Sequence, residues 1–148
     1  MSTVIFPDTN IILRYLLADN EKQYQEIHPF FEALKEGREK AVFLSEVLLE
    51  AFYVLTKTYN VPPKEAAEAL KDLILYKSVI NKNKDLLLEA FNLFIESHGL
   101  SLLDCFLCIK AKKQKGKILT FDKWLKQNAY RAQVLCLLVQ KGKLFRKH

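Results

Sequence analysis

Twice in this chain a short apolar run ends on an aspartate that opens a helical pattern, and this repeated order constrains the fold more than any other feature. The first instance is Thr3-Val4-Ile5-Phe6, stopped by Pro7 and followed by Asp8-Thr9-Asn10 and the apolar residues Ile11, Ile12, Leu13, Tyr15, Leu16 and Leu17. The second is Lys117-Ile118-Leu119-Thr120-Phe121, which delivers Asp122 at its end. Strands separated by helices predict an α/β layered domain with a mainly parallel sheet, because parallel neighbours need a crossover, usually a helix, between them.

Between these two motifs the periodicity predicts mostly helix. Tyr24, Ile27, Phe30, Phe31 and Leu34 fall on one face of a helix from Glu21 to Glu36, bent at Pro29 and stopped by Gly37. Ala41 to Leu44 reads as a strand, Ser45 as the cap of a helix reaching about Tyr59, and Pro62-Pro63 as the start of a helix through Leu70, Leu73 and Ile74. A helix from Asp85 to His98 is closed by Gly99, and Ser101 caps another from Leu102 to about Lys115, ended by Gly116. Val134 to Val139 is a last candidate strand, which makes four or five short strands among more numerous helices.

A chain of 148 residues, half of them hydrophobic and with four glycines and four prolines, is expected to fold as one domain over residues 1–148. Its apolar stretches are too short to cross a bilayer, so no membrane partner is expected. The first residues carry no basic segment before their apolar run, which points to the cytoplasm. Cys105, Cys108 and Cys136 lack framework spacing and fit reduced thiols; Cys105 and Cys108 read as small buried hydrophobes rather than as zinc or redox ligands. No Gly-rich loop follows the first strand, against a Rossmann or Walker nucleotide site.

Charge is polarised along the chain. Residues 1–109 carry a net −5 and residues 110–148 a net +11, with Asp122 the one acid in the second stretch. A basic stretch of this kind gathers phosphate by releasing counterions, although a lysine-rich solvated face has the same composition.

Four acids stand out from this background. Asp8 and Asp122 follow strands, and the carboxyl ends of parallel strands are where ligands bind in open sheets; both are equally suited to cap the helices they precede. Asp104 lies among Leu102, Leu103, Cys105, Phe106, Leu107, Cys108 and Ile109, a helix expected to be buried on more than one side. A carboxylate there must be hydrogen-bonded, paired or metal-bound, and Ser101-Leu102-Leu103-Asp104 offers a capping box as the structural alternative. Glu50 falls beside Glu46 and Lys57 at the edge of a polar face, where periodicity alone reads it as surface. Were the four to converge, their mutual repulsion would require a cation, and oxygen-only ligation selects Mg²⁺ or Mn²⁺ over zinc.

These acids and their surroundings resemble the PIN-domain family of metal-dependent ribonucleases, most closely the stand-alone VapC-like toxins. The resemblance is carried by Asp8 in Phe-Pro-Asp-Thr-Asn, Glu50 in Ser-Glu-Val-Leu-Leu-Glu-Ala-Phe, Asp104 in Leu-Ser-Leu-Leu-Asp-Cys-Phe-Leu-Cys-Ile-Lys-Ala, and Asp122 in Ile-Leu-Thr-Phe-Asp-Lys. It runs from residue 3 to about 126. Pro7 departs from the apolar residue many relatives have there, and the basic segment 128–148 matches no family element.

The resemblance implies a three-layer α/β/α sandwich with a short, mainly parallel central sheet, in which Asp8, Glu50, Asp104 and Asp122 meet around one or two Mg²⁺ or Mn²⁺ ions. Asp8, Asp104 and Asp122 would be metal ligands, Glu50 a ligand or the general base, and Asn10 and Thr120 supporting polar residues. The implied activity is hydrolysis of RNA phosphodiester bonds by metal-activated water, in the toxin of a type II toxin–antitoxin pair. A housekeeping RNA-processing nuclease and a non-catalytic RNA- or protein-binding module are the alternatives. RNA is then the substrate, in single-stranded or looped form, and Arg14, Lys110, Lys112, Lys113 and Lys123 are candidates to hold its backbone. An antitoxin protein and a homodimer are the implied partners. Tyr24, Phe30, Phe31, Tyr59 and Leu75 are candidates for such surfaces, being more than one small core needs.

Overall fold

A computed structural model describes residues 3–131 and 135–138 of the chain. The elements run β1 (Val4–Ile5), α1 (Thr9–Leu17), α2 (Glu21–Glu36), β2 (Lys40–Ala41), α3 (Ser45–Lys57), α4 (Pro63–Ile74), α5 (Lys84–Glu96), α6 (Leu102–Lys113), β3 (Lys117–Thr120), α7 (Lys123–Arg131) and β4 (Leu135–Leu138). The fold is α/β, mainly helical with short parallel strands, as the sequence pattern requires. The chain divides after Leu88, within α5, into two compact units.

In the first unit β1 pairs in parallel with β2, with Val4 opposite Lys40 and Ile5 opposite Ala41. Each strand is shorter than its apolar run. For β2 the reason is a side chain: the amide of buried Asn81 accepts from the Phe43 N–H at 2.9 Å and donates to the Phe43 carbonyl at 2.7 Å. Asn81 thereby makes the two bonds a neighbouring strand residue would make, while Val42 still donates to the Ile5 carbonyl at 3.0 Å. Ala41 itself forms a parallel bridge to Val79.

The helices of this unit start and stop for local reasons. Asn20 caps α2 by accepting from the Gln23 N–H at 3.0 Å, and Gly37 ends it at φ +89°, where a glycine meets no steric penalty. Ser45 proves to be the first residue of α3 rather than its cap, which is Leu44 without a capping side chain. The Ser45 hydroxyl instead accepts from Asn83 Nδ2 at 3.0 Å. Pro63 opens α4, where its missing N–H costs nothing. α1 packs on α2 and α3, and α3 on α4. Ile12, Phe31, Leu34, Phe43, Leu48, Leu70, Leu73 and Ile74 are fully buried, and the Tyr15 ring stacks on Phe31 at 3.8 Å between centroids. Phe31 is therefore core and not a free surface, whereas Tyr59 and Leu75 are exposed.

In the second unit β3 and β4 pair in parallel from Lys117 opposite Leu135 to Thr120 opposite Leu138. The expected last strand is thus present over Leu135–Leu138, while Val134 and Val139 lie outside the described residues. α5 ends at Glu96, short of His98. Gly99 follows at φ +93°, and a Cβ there would come within 2.8 Å of Trp124 Cε2. α6 ends at Lys113 with Gln114 as its cap, and the left-handed residue is Lys115 at φ +54° rather than Gly116. Phe91, Leu102, Cys105 and Cys108 are buried, with the Phe91 and Phe106 rings edge to face at 5.7 Å.

Candidate active site

Asp8 leaves β1 through the buried Pro7 and stands at the N-terminus of α1 in extended backbone. Its Oδ1 accepts from the Ile11 N–H at 3.1 Å, so the residue is the helix cap that its sequence position allowed. Oδ2 has no hydrogen bond among the described residues, and the side chain is exposed. Asn10, one turn of chain further on, is exposed and edges an open cleft of about 380 Å³ with Ile11, Arg14, Gln23 and Glu26. A second cleft of about 360 Å³, largely apolar, is lined by Phe6, Asp8, Ile11, Glu26, Ile27 and Phe30 among others.

Glu50 lies on α3 beside the face that buries Leu48, Ala51, Phe52 and Leu55. It is exposed, as periodicity predicts, and makes no hydrogen bond or ion pair among the described residues.

Asp104 is half-buried at the third position of α6. Ser101 Oγ accepts from the Asp104 N–H at 3.0 Å, and Asp104 Oδ2 accepts from the Ser101 N–H at 3.3 Å. The capping box is formed, with aspartate where glutamate is commoner. Burial of α6 on more than one side is not observed: Leu103 and Leu107 are 53% and 44% exposed. The carboxylate is accordingly not an isolated charge in an apolar interior; its Oδ2 is bonded and its Oδ1 is left over.

Asp122 follows β3 by two residues and caps α7. Its Oδ1 accepts from the N–H groups of Trp124 at 2.8 Å and Leu125 at 3.2 Å. The Asp122 N–H in turn donates to Thr120 Oγ1 at 2.9 Å, so Thr120 fixes the turn that carries the acid. Three aspartates thus share one feature: one oxygen on a backbone amide at a helix N-terminus, the other without a protein partner among the described residues. None of the four acids takes part in an ion pair among the described residues.

Asp8 and Glu50 belong to the first unit, Asp104 and Asp122 to the second. Among the described residues no group of three or more His, Cys, Asp or Glu side chains is placed to hold a metal ion. The donor chemistry nevertheless fits a hard ion: the unpartnered groups are carboxylate oxygens, and the thiols of Cys105 and Cys108 are buried. Burial, with smaller contributions from Cys108 and Asp104, pushes the Cys105 thiol up to about 12, which disfavours the thiolate at neutral pH.

The basic candidates divide. Arg14 donates to Asp19 Oδ1 at 2.8 Å and to the Tyr59 hydroxyl at 3.0 Å, and the Tyr59 bond is the largest cause of its raised pKa. Lys113 pairs with Glu89 at 3.4 Å. Lys110, Lys112 and Lys123 are exposed without an ion pair among the described residues. Sequence reasoning missed Gln23 and Glu26, which edge the cleft of about 380 Å³, Glu26 also lining the cleft beside Asp8; three residues apart on α2, they lie one helical turn from each other, and that spacing was the available signal.

No helix among the described residues is long and apolar enough to cross a membrane. Compared with known proteins, the chain is 28% identical over 125 residues to a VapC ribonuclease of Aquifex aeolicus (strain VF5), covering 84% of this chain and 91% of that protein. The sequence profile of the PIN domain matches residues 5–129, a span that includes Asp8, Glu50, Asp104 and Asp122. With most of its length matched by that profile, and with β1 and β3 each leading to a helix-capping aspartate, the chain belongs to the PIN-domain family.

Proposed function

We propose that this protein is a metal-dependent endoribonuclease, acting as the toxin of a type II toxin–antitoxin pair, with Asp8, Glu50, Asp104 and Asp122 serving one reaction. The observation that carries the reading is the split use of each aspartate: one oxygen holds a helix terminus and the other has no protein partner. A carboxylate fixed in this way is oriented without being neutralised. The family match across residues 5–129 supports treating the two units as one catalytic domain.

Asp8, Asp104 and Asp122 would hold Mg²⁺ or Mn²⁺ through their spare oxygens, with Thr120 fixing the turn of Asp122 and Asn10 flanking Asp8. Once bound, the ion lowers the pKa of a water and offsets charge on the phosphate. Glu50, free of hydrogen bonds, takes the proton of the attacking water. Lys110, Lys112 and Lys123 attract the RNA backbone, so binding weakens as salt rises. The likeness to a VapC ribonuclease supports RNA as substrate and an antitoxin and a second copy of the chain as partners.

The test is cleavage of single-stranded RNA by purified protein with Mn²⁺, with and without a chelator. Asp8→Asn and Asp104→Asn keep a capping side chain and therefore the fold. They should bind RNA and cut it slower by about two orders of magnitude or more. Equal cutting by the variants refutes the assignment of the acids, and RNA binding without any cutting by the parent protein supports the non-catalytic module instead. For the toxin role, expression in bacteria should arrest growth, and a small neighbouring gene should relieve it.

A further inference from the structure

We propose that the apolar cleft beside Asp8 seats one unpaired base of the RNA, with Phe6 as its stacking face and Glu26 selecting bases that carry an exocyclic amino group. The inference rests on the nuclease reading for its substrate, but on separate residues. Phe6 is 60% exposed at the end of β1, an unusual place to leave an aromatic ring in water, and it shares the cleft of about 360 Å³ with Ile11, Ile27 and Phe30. Asp8 lies in the same lining, so whatever fills the cleft sits against a residue of the proposed site. An apolar slot of this kind suits a planar base, whose faces stack on aromatic rings whatever its identity.

Identity would be read at the edge. Glu26 lines both clefts and makes no hydrogen bond or ion pair among the described residues. An ionised carboxylate only accepts, so it favours the amino groups of cytosine, adenine and guanine and repels the carbonyl oxygens of uracil, which has no amino group. Past Ile11 the neighbouring cleft of about 380 Å³ is edged by Asn10, Arg14 and Gln23, polar groups suited to sugar and phosphate rather than to a base face.

The test uses labelled single-stranded oligo(C), oligo(A) and oligo(U), first as ligands of the Asp8→Asn protein and then as substrates of the parent protein with Mn²⁺. Oligo(C) and oligo(A) should bind about tenfold or more tighter than oligo(U). Glu26→Gln should bring the three within about threefold, and Phe6→Ala should weaken all of them by about tenfold, with Phe6→Tyr restoring binding. If binding follows this pattern but nothing is cut, the base seat stands and the nuclease reading falls. If the parent protein cuts while Glu26→Gln and Phe6→Ala keep its base preference and KM, the base seat is overturned. It is overturned equally if those variants change only the binding of a protein partner.

Discussion

The Thr120 hydroxyl accepts a hydrogen bond from the Asp122 N–H at 2.9 Å, tying the last residue of β3 to the acid that caps α7. Thr120→Val keeps the β-branched shape and removes this acceptor. The expected cost is about 1 kcal/mol of stability, together with slower RNA cleavage at unchanged RNA affinity. Denaturant midpoints and single-turnover cleavage check both; a stability loss with unaltered cleavage would make Thr120 purely structural.

The capping box of α6 separates fold from chemistry, because its two members differ in what they leave over. Ser101→Ala should lower stability by about 1 kcal/mol and leave cleavage intact once the protein is folded. Asp104→Ala should lose the cap and the cleavage together. Thermal unfolding beside RNA cleavage distinguishes the pair.

Asn81 substitutes for a strand residue by bonding both backbone groups of the buried Phe43. Asn81→Leu leaves that N–H and carbonyl without partners, at about 1–3 kcal/mol for each buried group. This should be among the most damaging single changes in the first unit, read as a large fall in the urea midpoint.

Gly99 leaves no room for a side chain against Trp124, the chain's one tryptophan. Gly99→Ala should displace the indole and shift its fluorescence emission, while costing about 1 kcal/mol or more from the left-handed backbone. An unchanged emission spectrum would count against the contact.

Burial raises the Cys105 thiol from 9.0 to about 12. The folded state then holds its proton more tightly than the unfolded state, so stability from this group is present below pH 9 and is lost as pH rises toward 12. Tyr76, raised chiefly by burial and by its bond to Tyr15, acts in the same direction. Unfolding midpoints measured across that alkaline range should fall less steeply in Cys105→Ala, and less steeply again with Tyr76→Phe added.

Much of this architecture was legible because it depends on local chemistry. α2 runs from Glu21 to Glu36 as its apolar stripe and Gly37 dictate, and α4 opens at the expected proline. What was not legible depends on partners distant in sequence. The early end of β2 follows from Asn81, and the role of Ser45 from Asn83, each 38 residues away. At the site, the ambiguity of Asp8, Asp104 and Asp122 between cap and ligand was present in the pattern, and the structure displays the cap. The position of Glu26 in one lining with Asp8 came from the packing of α1 on α2, which periodicity within one helix does not encode.

If these aspartates serve the proposed cleavage as well as hold helix ends, they answer to two selective pressures at once. A descendant freed from that reaction would still be selected to retain a short polar acceptor at each of the three positions. Asparagine meets that need as well as aspartate does, so loss of catalysis in such a lineage would be recorded as Asp-to-Asn drift in an otherwise intact scaffold. An aspartate retained at all three positions is then a sharper sign of working chemistry than the persistence of the fold around it.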